Sequence, residues 1–173
     1  AFNKYPINNK NVAIIGSQSP WLECICLNSD AKSVTTVEYN VPEVNYPKLK
    51  AISYYKDFKH TTVKYDCILS FSSIEHSGLG RYGDDLDPHG DVKTMDDIYN
   101  NLNDGGLLYL GIPIGPDALA WNANRIYGNI RLPILLEKFK VLDWFGCTFD
   151  EALRLPKGKD WKSNYQPVIV LKK

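Results

Sequence analysis

Apolar residues fall into short runs, separated by polar stretches that carry glycine and proline. Residues 12–15 are apolar throughout and stop at Gly16, the pattern of a buried parallel strand. Ser17 to Pro20 reads as a turn, and Pro20 suits the first turn of a helix that continues through Trp21, Leu22, Ile25 and Leu27. Residues 33–37 are β-branched and strand-like, and end at Glu38. Pro42 and Pro47 exclude a long helix between this strand and a weaker one at residues 51–55. Residues 65–71 form a fourth strand. Val92, Met95, Ile98, Tyr99 and Leu102 make a helical stripe, with Asp91 as its cap and Asp104-Gly105-Gly106 as its end. Residues 107–112 form a fifth strand, stopped by Pro113; residues 114–131 read as irregular and 132–139 as a short helix. Residues 140–145 and 167–171 are the last two strands, joined by a polar, lysine-bearing loop of about 20 residues, longer than most connections.

Early alternation of strand and helix implies a parallel sheet with right-handed crossovers. The final two strands have no expected helix between them and can pair as an antiparallel hairpin at the sheet edge. The expectation is therefore an α/β, Rossmann-like class I methyltransferase fold: a mostly parallel seven-stranded sheet with an antiparallel last strand and helices on both faces. Residues 1–173 make one domain, long enough for a substantial core. The chain opens at Ala1 without a methionine, so it reads as a domain excised from a longer polypeptide.

Charge narrows the function. Twenty basic and 20 acidic residues give a net charge of zero, which speaks against nucleic acid as a partner. The basic residues are scattered, apart from Lys157, Lys159, Lys162 and the pair Lys172-Lys173. No apolar run approaches the ~20 residues of a membrane span. Cys24, Cys26, Cys67 and Cys147 show no paired C-x-x-C spacing and read as reduced thiols of a cytoplasmic protein; Cys24 and Cys26 would point to different sides of a helix. The 11 tyrosines are mainly core packing, with a stacking surface for sugar or purine rings as a second use.

The densest chemistry is at residues 70–91, SFSSIEHSGLGRYGDDLDPHGD, a glycine-broken charged loop that leaves the fourth strand. Parallel sheets bind cofactors at the carboxyl ends of their strands, at the switch point. Here that means Gly16 and Ser17 after the first strand and Glu38 after the second. Glu38, about 20 residues past Gly16, matches an acid that accepts hydrogen bonds from a ribose diol; a solvated strand end fits as well. G-S-Q-S-P-W lacks the second and third glycines of G-x-G-x-x-G, which counts against a dinucleotide. S-adenosylmethionine carries no phosphate and tolerates their loss. Asp57 stands where an adenine-facing acid is found, although a turn aspartate fits equally. Trp21, Tyr39, Ser70 and Ser72 complete the expected cofactor wall.

His76 is the candidate general base, since imidazole titrates near neutrality; ordering the loop by hydrogen bonding is the competing account. Glu75 is counted with the acceptor site; it orients His76, or simply meets the cofactor or solvent. Arg81 offers a fork of donors to a hydroxyl-rich acceptor, or pairs with a nearby Asp. Tyr82 adds a stacking face and a hydroxyl. Asp84 is the second candidate for base or ligand. Asp84, Asp87 and His89 form a possible Mg²⁺ or Mn²⁺ set, but their spacing matches no strict motif, and a solvated turn with Asp caps accounts for them, so no metal is assigned. Asn122, Asn124 and Arg125 line the acceptor side or belong to a polar loop, with His89 and Arg125 as further acceptor contacts.

The runs IIGSQSPWLE, VTTVEYN, SFSSIEHSGLGRYGD and GGLLYLGIP resemble the methyltransferase-like domain family first described as a Caenorhabditis protein of unknown function, over residues 5–145. Ile74-Glu75-His76 looks like the L-E-H that follows the fourth strand in many class I methyltransferases. Asp104-Gly105-Gly106 is similar to their P-G-G, with Asp in place of Pro. The resemblance implies S-adenosylmethionine as cofactor. Members occur beside sugar-transfer genes or domains, so it also implies O-methylation of a sugar hydroxyl of a glycan, at finest grain a terminal deoxyhexose such as rhamnose, alongside glycosyltransferases. Two rivals stand beside this reading. One is a binding or scaffold module that kept the fold and lost the chemistry, motivated by the single glycine at Gly16. The other is a nicotinamide-dependent oxidoreductase, which Gly16-Ser17 argues against.

Overall fold

The computed structural model describes residues 1–154 and 165–173. Lys157, Lys159 and Lys162 lie outside the described residues. The chain runs β1 (Asn11–Ile15), α1 (Trp21–Asn28), β2 (Ser33–Glu38), β3 (Leu49–Ser53), β4 (Tyr65–Phe71), α2 (Gly90–Asn101), β5 (Leu102–Gly111), β6 (Ala118–Ala120), β7 (Asn124–Ile126), α3 (Arg131–Leu136), β8 (Lys140–Phe145), α4 (Phe149–Arg154) and β9 (Val168–Lys172). Seven strands form one sheet in the order β3-β2-β1-β4-β5-β9-β8, while β6 and β7 pair separately. β1 to β5 are mutually parallel, and β9 lies antiparallel between β5 and β8. The expected mostly parallel sheet with an antiparallel last strand is therefore present.

Strand alternation decides the layers. Val12 and Ile14 point to one face, where α1 supplies Leu22 and Cys26. Ala13 and Ile15 point to the other, where α2 supplies Met95 and Ile98 and α3 supplies Leu132 and Leu135. Ile14, Ile68, Leu108 and Leu110 are fully buried, each stabilising the fold by roughly 1.5–3 kcal/mol. Beyond α1, the N-terminal segment covers the first face: Phe2 meets Tyr109 edge-on at 5.2 Å, and the Tyr109 hydroxyl donates to the Tyr5 carbonyl at 2.7 Å. Because the chain leads from β1 out to β3 and returns at β4, the carboxyl ends of β1 and β4 lie side by side, with a crevice above them.

Six details differ from the sequence reading. The third strand is at Leu49–Ser53, two residues earlier than expected at its start. Asp91 does not cap α2. It is fully buried and ion-paired to Arg131 (2.5 Å) and Arg125 (3.6 Å), and accepts from the Tyr127 hydroxyl at 3.1 Å. β5 begins at Leu102, directly after α2, so Asp104-Gly105-Gly106 lies inside the strand. There Gly105 takes φ +75° and the β4 register slips between Tyr65 and Cys67, a bulge that only a glycine adopts freely. Residues 114–131 contain the β6–β7 hairpin, and the polar connection before β9 opens with α4. α3 is also shorter than expected, ending at Leu136.

Candidate functional site

A cleft of about 420 Å³ opens over the carboxyl ends of β1, β2 and β4. Of the expected residues, it gathers Gly16, Ser17, Trp21, Glu38, Tyr39, Ser72, His76 and Tyr82; Gln18, Ser19, Phe71, Ser73 and Ser77 join them. The single glycine of the β1 turn has a local cause. Gly16 takes φ +76°, and a Cβ there would lie 2.0 Å from Ser73 Oγ. The turn is thus shaped by the close approach of the β4 exit, not by a phosphate.

Glu38 is held in place by the backbone. Its Oε1 accepts the Ser17 amide and its Oε2 accepts the Tyr39 amide at 3.3 Å. Sequence reasoning missed Glu23. This buried acid of α1 accepts Thr36 Oγ1–H at 2.7 Å and Ser17 Oγ–H at 3.0 Å, so Ser17 is held from two sides. The signal was an acid three positions before the buried Cys26, on the core-facing stripe of the helix. Trp21 stands edge-on to Phe71 at 5.5 Å, and Tyr39 stacks on Tyr55 at 5.2 Å. These rings form apolar walls around the carboxylate.

The β4 exit carries the titratable groups. Ser72 adopts φ +52°, uncommon for a residue with a Cβ, and its Oγ donates to Glu75 Oε1 at 2.9 Å. Glu75 is 1% exposed, and its Oε2 has no hydrogen-bond partner. Burial pushes its carboxyl up to about 7. His76 follows in the same 3₁₀ turn. Its Nδ1 meets the Ala123 carbonyl at 2.5 Å, so Nδ1 carries the proton and Nε2 keeps its lone pair, 3.7 Å from Glu75 Oε1. Burial lowers the His76 pKa, and Arg81 and Arg125 add to that; the Ala123 carbonyl and Asp84 oppose it. The imidazole is neutral at neutral pH and can accept a proton.

The remaining candidates sit around this cleft in other roles. Asp84 is buried and accepts the amides of Gly78 (2.6 Å), Gly80 (3.3 Å) and Tyr82 (3.2 Å), closing the loop that presents Tyr82. Arg81 is exposed, with its guanidinium 5.7 Å from the Tyr82 ring centre. Asp87 pairs with Lys93 at 2.6 Å and His89 is exposed at the start of α2; among the described residues, no group of three or more His, Cys, Asp or Glu side chains converges as a metal site. Asp57 lies outside the cleft lining and accepts the Ser53 amide at 2.8 Å. Ser70 lies beneath the cleft, donating to the Ile15 carbonyl at 3.3 Å. Asn124 donates to the Arg125 carbonyl at 3.1 Å, and Asn122 is exposed in the hairpin turn. Arg125 is buried beside the site, not in the cleft. It donates to the carbonyls of Ser77 (2.6 Å), Glu75 (3.5 Å), Asp87 (3.3 Å) and Pro88 (3.4 Å). It therefore joins the hairpin to both ends of the charged loop. The four cysteines are free: Cys24 exposed, Cys26 and Cys67 buried, as their helix and strand positions require. Among the described residues, no helix is long and apolar enough to cross a membrane.

Known structures share this architecture. The chain is similar to the Burkholderia thailandensis 1,6-didemethyltoxoflavin-N1-methyltransferase, solved with 1,6-didemethyltoxoflavin and S-adenosylhomocysteine bound. The TM-score is 0.66 at 14% identity, covering 99% of this chain and 74% of that one. It is also similar to the N-methyltransferase NodS of Bradyrhizobium japonicum WM9 in complex with S-adenosylhomocysteine (TM-score 0.66, 14% identity, 96% and 79% covered). A third match is an S-adenosylmethionine-dependent methyltransferase of Mesorhizobium loti (TM-score 0.60, 9% identity, 96% and 92% covered). At these identities the likeness establishes the fold, a class I S-adenosylmethionine-dependent methyltransferase fold. No curated protein matches the chain. The model of one family matches residues 9–173, and the chain belongs to that family, described as Caenorhabditis protein of unknown function, DUF268.

Proposed function

We propose that the protein binds S-adenosylmethionine in the cleft above β1, β2 and β4 and methylates a hydroxyl of a carbohydrate acceptor, with His76 as general base. The observation that carries this reading is His76 itself. Its Nδ1 proton is fixed on the Ala123 carbonyl, so Nε2 keeps its lone pair, and His76 lines the same cleft as Glu38.

The residues fit the cofactor. Each Glu38 oxygen accepts one backbone amide and retains a lone pair for a ribose hydroxyl. Trp21 and Tyr39 give apolar cover, and a cleft of about 420 Å³ suits a small molecule. When bound, S-adenosylmethionine would supply an electrophilic methyl group on a positively charged sulfur. The chain must then orient the acceptor hydroxyl and take its proton. Tyr82, 5.4 Å from the His76 ring, offers a face against which a sugar ring can stack, and Arg81 lies beyond it. The sugar as acceptor, rhamnose at finest grain, and glycosyltransferases as neighbours rest on the family resemblance. The free cysteines support a reducing, cytoplasmic setting.

Calorimetry with S-adenosylmethionine and S-adenosylhomocysteine tests the cofactor half. Binding is expected in the wild type and about 10–100-fold weaker in Glu38→Ala, the loss of hydrogen bonds to a charged group. No binding of either compound to the wild type would end the proposal. Transfer of labelled methyl to a panel of free and lipid-linked sugars tests the other half, with His76→Ala reduced by about 10²–10⁴-fold. One observation favours a binding module instead: Ser17 to Pro20 contributes no second glycine to the turn. That reading expects S-adenosylhomocysteine binding with no transfer to any acceptor.

A further inference from the structure

We propose that Glu75 is the counter-charge for the imidazolium that His76 becomes on taking the acceptor's proton, a positioning residue that acts from beneath the cleft. This rests on the reading of His76 as the base.

Three features of the geometry point to it. First, Glu75 Oε1 lies 3.7 Å from His76 Nε2, the nitrogen left free by the Nδ1 contact to Ala123. Second, the carboxyl is incompletely satisfied. Oε1 accepts from Ser72 Oγ, whereas Oε2 is buried without a partner. A carboxylate kept only to order a loop normally has both oxygens paired, as Asp84 does here. Third, the other charges facing His76 are unfavourable to an imidazolium. Arg81 from the loop and Arg125 from β7 disfavour it, and only Asp84 favours it. Glu75 also acts electrostatically on the buried Tyr127, whose hydroxyl donates to Asp91; that aspartate in turn pairs with Arg125 and Arg131.

The step is a proton transfer. The acceptor O–H bond breaks, its electron pair stays on oxygen, and the proton bonds to Nε2. Above about pH 7 Glu75 is a carboxylate and meets the new imidazolium as its partner; below that it is protonated and the counter-charge is missing.

The test is an NMR titration of the His76 imidazole, in which no acceptor is needed. The chain has three histidines, His60, His76 and His89, and a His76→Gln sample assigns the signal. In the wild type the His76 signal should show a second inflection near pH 7, from Glu75. In Glu75→Gln that inflection should vanish, leaving a single titration of His76. If the variant does not fold, the wild-type inflection alone decides. A His76 titration with no second inflection and no response to Glu75→Gln overturns the proposal. Calorimetry on the same wild-type sample separates the two readings. Coupling in a protein that binds no S-adenosylhomocysteine means the functional reading has failed and takes this one with it; binding without coupling means that this one alone has failed.

Discussion

Glu75 and His76 are neighbours whose burial shifts their titration in opposite senses, and stability should record both. The carboxyl is raised from 4.5 to about 7 in the fold. Such a group gives stability that is complete below the unfolded value and lost as pH rises through the folded one. The loss is on the order of 3 kcal/mol for a fully buried carboxyl with this shift. His76 has a lowered pKa, so its contribution is present above 6.5 and fades as pH falls. Glu75→Gln should therefore melt higher than the wild type at pH 8 and close to it at pH 4, as read by thermal denaturation at both values. An equal difference at the two pH values would count against the buried, shifted carboxyl. At this scale, the sequence told most about residues that end strands. Glu38 and His76 could be placed because a buried apolar run stops just before each. Asp84 and Arg125 could not, because their partners are backbone amides and carbonyls that become neighbours only once the loop and the hairpin have folded.

Among the elements, the β1–α1 turn has little latitude. Gly16→Ala would place a methyl 2.0 Å from Ser73 Oγ, at a backbone φ of +76°. The strain should cost about 1–3 kcal/mol, measured as a lower denaturation midpoint, with weakened S-adenosylhomocysteine binding. In a Ser73→Gly background the same substitution should cost less, since both clashing atoms, Ser73 Oγ at 2.0 Å and Ser73 Cβ at 2.5 Å, are then gone and only the backbone angle is left. An undiminished cost there would mean that the backbone angle accounts for all of it. The β6–β7 hairpin shows why other elements escaped notice. Ala118–Ala120 and Asn124–Ile126 are three residues each, too short to display an alternation. α4 was hidden in a similar way, as a six-residue helix at the head of a polar connection. Neither is set by periodicity; Arg125 ties the hairpin to the charged loop, and the isolated bridge from Ile114 to Tyr127 ties it to the segment that follows β5.

For the whole molecule, the centre of the parallel half of the sheet was legible because β1, β4 and the end of β5 are buried on both faces and read as apolar runs. The antiparallel end was inferred from a missing helix. A helix is in fact there, but α4 is too short to carry a crossover, so the pairing stands while its stated reason does not. β9 is not an edge strand: it sits between β5 and β8 and buries Ile169, Val170 and Leu171. Deleting residues 168–173 should abolish the cooperative thermal transition rather than lower its midpoint, as followed by circular dichroism. A truncated chain that melted sharply would show that β8 can pair with β5 directly. The same placement bears on how the protein is made. Of the seven strands in the sheet, the one that joins β8 to the rest leaves the ribosome last. At roughly 5–20 residues per second, β5 and β8 wait on the order of a second or more with open edges. A nascent chain in that interval is exposed to strand pairing with its neighbours on a polysome.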